Sequence, residues 1–298
     1  MLDTAPLGAF LDALPEVPQP LPGEEDAMAF DDQVIERRLT RLRLSGPELS
    51  HSRANNVAAA KKLTDNDPYV TFGIRMVIDY VQLNEVDPQE ALGMIASITK
   101  CSQDVGYTEG RGYISPSSTI KGLKAMSAAI RHVCRDHGHV MFATGHPGSM
   151  VECYTELSEL VRELGGHVMD LAKGQVAFQG EDRDHVQVAD SINGIGILSD
   201  TCAALHTHDS RAMELMLNDA KRLPDLVIAD HGFAGEAINR GIPTVAIMDT
   251  NDPGLAVAKK LGANVIIVPM NDNRPNVVTR EAAELVKQMI LESGRARR

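Results

Sequence analysis

The apolar positions of this chain change their rhythm near residue 138. Upstream they recur at helical spacing. Val34, Ile35, Leu39, Leu42 and Leu44 form one stripe of an otherwise charged segment, which predicts an amphipathic helix between Asp31 and Leu49. A second helix is expected over 53–63. "VTFGIRMVIDYVQL" carries both helix and strand periods and is read as helix. "DPQEALGMIASIT" opens with Asp87 at the N-cap, Pro88 at the first helical position and Glu90 at the third. "SPSSTIKGLKAMSAAIRHVCRDHG" reads as a long helix that Gly138 ends.

Downstream, short apolar runs without polar alternation take over, at 139–144, 166–172, 194–199, 202–207, 225–230, 243–249 and 264–270. Helical patterns start between them near Gly148, Ser210, Gly235 and Pro253. Runs of that kind fit strands buried on both faces of a parallel sheet that helices cover. The expected fold is therefore α/β, a doubly wound, mainly parallel sheet (Rossmann- or flavodoxin-like) over 138–298, with a helical N-terminal region over 29–137. Residues 1–28, with five prolines and "GEEDA", read as a poorly ordered arm. The helical region could pack on its own sheet or on a partner's, which leaves a homo-oligomer open.

Charge narrows the partners. Net charge is -12, from 41 acidic and 29 basic side chains, and no basic stretch precedes the terminal "RARR". Nucleic acid and anionic membrane repel such a surface, so neither is expected as a partner. A small anionic metabolite is, and its site must then supply local positive potential. Cys101, Cys134, Cys153 and Cys202 form no C-x-x-C pair and read as buried, reduced thiols. With no basic-then-apolar leader and no apolar run of membrane length, the expected location is cytoplasmic.

Ligands of open parallel sheets bind at the carboxyl ends of the strands. Four such ends carry unusual polar residues: "FATGHPGS", "HTHDS", "ADHGFAG" and "MDTNDPG". In the first, Gly145, Gly148 and Ser149 could let backbone N–H groups approach an anion at a helix N-terminus, with His146 as base or ligand. A plain glycine turn with a capping serine explains the same residues. His206 and His208, two apart, point to one face of an extended segment and suit a divalent metal or a phosphoryl oxygen. Asp230 and His231 end a very apolar strand, where a carboxylate is costly unless paired or ligated, although Asp230 could simply cap the next helix. Asp249 is the better oxygen donor of its loop, because Asp252 before Pro253 reads as an N-cap. Upstream, Arg53, Asn55 and Asn56 in "SHSRANN" could grip a phosphate, or form a solvated helix start.

Taken together, "SRANNVAAAKKL", "MFATGHPGSM", "LHTHDSRAM", "LPDLVIADHGFAG" and "MDTNDPGLAVA" resemble a family of actinobacterial proteins labelled simply "phosphatase". The matches keep the family's order from about 53 to 257. Phe233 stands where the family often has tryptophan, and "MDT" replaces a cysteine-containing segment. The resemblance implies a cytosolic α/β protein that hydrolyses phosphoric esters.

The leading expectation is a metal-assisted phosphomonoesterase acting on a small phosphorylated metabolite at the sheet's C-terminal rim. A divalent ion (Mg, Mn or Zn) would be held by His206, His208, Asp230 and Asp249. His146, His208, His231 and Asp230 are the candidate catalytic groups. Arg53, Asn55, Asn56, Gly145, Gly148 and Ser149 are the candidate substrate contacts. R-H-G does not occur, so the histidine-phosphatase signature is absent. The alternatives are an isomerase or epimerase of a sugar phosphate or nucleotide sugar, and a non-catalytic metabolite binder.

Overall fold

A computed structural model describes residues 31–180, 186–200 and 202–295, so the expected arm over 1–28 lies outside the described residues. Before the first strand come α1 (Asp32–Arg41), α2 (Arg53–Thr64), α3 (Pro68–Thr71), α4 (Arg75–Asn84), α5 (Pro88–Thr99) and α6 (Pro116–Arg135). Side chains set several of their ends. Ser52 Oγ accepts the N–H of Asn55 at 3.2 Å, and an Asp87 carboxylate oxygen accepts that of Glu90 at 2.7 Å. Each such cap contributes about 1 kcal/mol. The ambiguous 70–83 segment is helical but broken, because Phe72 and Gly73 adopt φ of +55° and +66°. α1 stops earlier than the stripe suggested: Leu42 and Leu44 are buried after the helix has ended.

The remaining elements are β1 (His139–Ala143), α7 (Pro147–Glu163), β2 (His167–Met169), β3 (Gln175–Gln179), β4 (Val186–Ile192), β5 (Ile195–Ser199), β6 (Ala204–Leu205), α8 (Arg211–Asn218), β7 (Leu226–Asp230), α9 (His231–Asn239), β8 (Thr244–Met248), α10 (Pro253–Lys260), β9 (Val265–Pro269) and α11 (Asn276–Arg295). The sheet order is β3-β4-β5-β1-β7-β8-β9. Strands β5, β1, β7, β8 and β9 run parallel, so the chain is an α/β protein with a mainly parallel sheet. The β3–β4 hairpin extends the β5 edge in antiparallel fashion. Its sequence gives no unalternated apolar run, because "VQVADSI" alternates as an edge hairpin strand does.

Successive strand residues feed two cores, as the two-residue period of a strand requires. Val140, Phe142, Ile228 and Ile247 face α1, α6, α7 and α11. Met141, Ala143, Ala229 and Met248 face α2 to α5 and α8 to α10. The helical N-terminal region thus packs on its own sheet and covers both faces. No helix among the described residues is long and apolar enough to cross a membrane.

All four cysteines are free, but Cys202 is exposed, contrary to the expectation that all are buried. It lies in the turn between β5 and β6, away from either core. Burial raises the Cys134 thiol pKa and pushes that of Cys153 up to about 12. Since the thiolate is the reactive form, a disulfide reagent should label Cys202 in the native protein and the other three only on unfolding. Rapid native labelling of a second thiol would contradict this burial.

Candidate active site

Because β1, β7, β8 and β9 are parallel neighbours, the segments that follow them share one rim. The H-T-H segment reaches that rim differently from the expected parallel strand over 202–207. β5 aligns Ile195 with Phe142 and runs on past the end of β1. The two-residue β6 then returns antiparallel to it, pairing Leu205 with Leu198. That reversal sets Thr207 beside β1, where its N–H donates to Gly145 O at 2.9 Å.

Four imidazoles meet there. His146 stacks on His206 with ring centroids 4.0 Å apart, and His231 lies 4.6 Å from His146 and 4.3 Å from His208. His208 also stacks on Tyr69, and its Nδ1 lies 2.7 Å from Tyr69 O. A carbonyl only accepts, so Nδ1 carries the proton and Nε2 offers a lone pair, 3.1 Å from His206 Nε2.

Four fully buried aspartates surround the imidazoles: Asp230, Asp249, Asp252 and Asp272. Asp230 accepts from Gly145 N–H (2.7 Å), Tyr154 O–H (3.1 Å) and His231 Nδ1–H (2.8 Å). This fixes His231 with Nε2 turned to Asp252 Oδ1 (3.8 Å) and Asp272 Oδ2 (3.7 Å). His231 sits at φ +46°, so β7 turns into α9 with no intervening loop. That left-handed geometry costs a non-glycine residue roughly 1–2 kcal/mol. Asp252 Oδ2 accepts Asp249 N–H at 2.8 Å, and Asp249 Oδ1 accepts Thr250 N–H at 2.6 Å. The remaining oxygens, Asp249 Oδ2, Asp252 Oδ1 and both of Asp272, have no hydrogen-bond partner, and neither has His146 Nδ1.

Among the described residues, the ion-pair partners of these carboxylates are all histidines: His51, His146 and His231. Burial opposes charge on His231 but is overcome by Asp252, Asp230 and Asp272, which raise its pKa to about 10. Burial, helped by that neighbouring cation, lowers His146 to about 3 and His208 to about 2, and lowers His206 as well. Burial also raises Asp249 to about 6 and Asp272 well above the ordinary carboxylate range, the neighbouring carboxylates adding to it. The cluster therefore sets four buried aspartates against one imidazolium, that of His231. Three groups of donor atoms are close enough to hold a metal ion: His146, His206 and His231; His231, Asp252 and Asp272; and His51, Asp249 and Asp272.

His146, His206, His208, His231, Asp230 and Asp249 thus come together. Asp230 and His208 lie outside the three groups; Asp230 accepts three hydrogen bonds and His208 Nδ1 is tied to Tyr69 O. Arg53 does not face the cluster. Its buried guanidinium donates to Tyr107 O and Asp104 O, so it pins the 101–111 loop. Asn55 is exposed on α2, whereas Asn56 is buried and accepts from Thr250 Oγ1 at 2.8 Å. The Gly145 N–H is taken by Asp230. Ser149 Oγ bonds to Asp272 O and Arg274 O and so holds the segment after β9. Gly148 is exposed and, with Ser149, His146, His206, Asn273 and Arg274, lines a cavity of about 540 Å³.

Sequence reasoning missed His51, Asp272, Tyr154 and Arg274, and ranked Asp252 below Asp249. The strand-end rule, carried on to the fifth parallel strand and its "MNDN", would have found Asp272. Asp252 stands at the N-cap of α10 without capping it, since its side chain turns to Asp249 N–H and the cluster.

Fold and site together define an α/β protein whose sheet rim gathers histidines and buried aspartates able to hold a metal. The model of the family described as Phosphatase matches residues 30–291, and the chain belongs to that family. It is also similar to a Streptomyces coelicolor protein named Phosphatase SCO2771, 28% identical over 258 residues, which span 85% of this chain and 92% of that protein.

Proposed function

We propose that this protein is a phosphomonoesterase for a small polar metabolite and works with a divalent ion held at the rim. One observation carries the reading: fully buried, unpartnered carboxylate oxygens of Asp249, Asp252 and Asp272 face histidines rather than lysines or arginines. Buried carboxylates in that state are costly, and a cation offsets the cost. The mixed carboxylate and imidazole donors, with no thiolate, suit Mn, Zn or Mg. His231, Asp252 and Asp272 would hold the ion, which supplies Lewis acidity toward a phosphoryl oxygen. Asp230 orients His231, as carboxylates do for metal-binding imidazoles.

The chain's own groups do the rest. The 540 Å³ cavity beside the cluster seats the ester. Gly148, second in the 17-residue α7 and preceded by Pro147, has an N–H with no intrahelical acceptor, a standing donor for a phosphate oxygen. Arg274 lines the same cavity with a buried, unpartnered Nε, and burial, with Arg43 adding to it, lowers its pKa. Arg274 gives an acidic protein local positive charge at the cavity, the role the sequence suggested for Arg53. His206 Nε2–H donates to His208 Nε2, which leaves the His206 Nδ1 lone pair to accept a proton from the attacking water.

Phosphate release across a panel of phosphorylated metabolites tests the reading. Arg274→Ala should raise KM at least tenfold and change kcat less, because it removes binding shared by ground and transition states. Isomerisation without phosphate release would assign the site to the isomerase alternative. Thermal stabilisation by ligand without turnover would make it a sensor.

A further inference from the structure

One ion satisfies the proposed chemistry, but the donors extend further. We infer that the rim is a two-metal centre in which Asp272 bridges the ions, one carboxylate oxygen to each; this rests on the reading of the cluster as a metal site. Two donor groups intersect at Asp272. One adds His231 and Asp252, the other His51 and Asp249, and within each group the donor atoms lie within 4.8 Å of one another. They share no other residue.

The free oxygens follow this division. Asp252 spends Oδ2 on Asp249 N–H and keeps Oδ1 bare. Asp249 spends Oδ1 on Thr250 N–H and keeps Oδ2 bare. Asp272, fully buried, keeps both oxygens bare. Each group therefore has one bare oxygen from its own aspartate, one from the shared aspartate, and one imidazole. Two unpartnered carboxylate oxygens inside a protein are costly, and a cation at each end offsets that cost at both. Backbone N–H groups fix Asp249 and Asp252 in the required orientation, so the donors are set in place by the fold.

Charge points the same way. Beside the four buried aspartates, one divalent ion leaves the mouth net negative and hostile to a phosphate ester. A second brings it to neutrality, so that Arg274 at the adjoining cavity can attract the ester in a chain whose overall charge is -12. Paired ions roughly 3.5–4 Å apart are a recurring device for in-line displacement at phosphorus.

The test is metal content and electron paramagnetic resonance of the full chain, stripped of metal and reloaded with Mn²⁺. The expected result is two Mn²⁺ per chain with an exchange-coupled spectrum. His51→Ala and Asp249→Asn should each leave one ion per chain and the six-line signal of isolated Mn²⁺. His51 is partly exposed, so its variant should fold even if Asp249→Asn does not. One uncoupled Mn²⁺ per wild-type chain at saturation would overturn the two-metal centre while metal-dependent phosphate release still stood. No bound Mn²⁺ would overturn both.

Discussion

Replacing His231 by alanine is expected to lower kcat/KM for phosphomonoester hydrolysis by about three orders of magnitude, within the range that positioned catalytic groups contribute. Among the described residues, no other side chain occupies two of the three donor groups while also being held by a carboxylate behind it. Its removal takes away a proposed metal donor and leaves Asp252 and Asp272 without their shared imidazole, 3.8 and 3.7 Å away in the wild type. Breaking a buried ion pair costs on the order of 3–5 kcal/mol. Here the high pKa of Asp272, raised chiefly by burial, lets that side chain take up a proton, so the variant should fold with a lowered Tm. Asp230→Asn should cost less, about 10–100-fold, because it disturbs the orientation of His231 and removes no donor. Steady-state kinetics and thermal melts of both proteins check this. A larger loss for Asp230→Asn than for His231→Ala would reverse the two roles.

Gly145→Ala should damage both stability and turnover. A Cβ at residue 145 would lie 2.1 Å from Thr207 O and 3.2 Å from His231 Cβ, and backbone cannot swing aside as a flexible side chain can. The residue also donates to Asp230 and accepts from Thr207, so the movement that relieves the clash strains both bonds. Overpacking of this kind costs about 1–3 kcal/mol, which for a chain of this size lowers Tm by roughly 2–10 °C. Turnover should fall by at least about 100-fold, since displacements near 1 Å in a positioned site have that effect. Gly148→Ala, whose Cβ would meet nothing within 4 Å, is the stability control and should melt within about 2 °C of the wild type. Equal melting of the two variants would show that the T-G-H and H-T-H segments are not in contact.

These effects follow from features that were unequally visible in the chain. Unalternated apolar runs announced the parallel strands, and helical spacing announced the helices around them. Polar residues at the ends of four strands led to His146, His206, His208, His231, Asp230 and Asp249. What escaped depends on tertiary pairing. The return of β6 antiparallel to β5 leaves no mark in "CAALHT". Asp252 carries a helix-start signal, yet its side chain serves Asp249 and the cluster. Arg53 looked like an anion grip because the carbonyls that occupy it, on Asp104 and Tyr107, lie some fifty residues on. Arg274, in a segment with no strong period, is placed by Ser149 through contacts that span 125 residues.

Phosphate release before and after complete metal removal tests the central claim most directly. The account predicts that the chelator-stripped protein releases no phosphate from any ester it otherwise hydrolyses, and that added divalent metal restores release to the wild type and not to His231→Ala. Undiminished release by protein shown to be free of metal would contradict it.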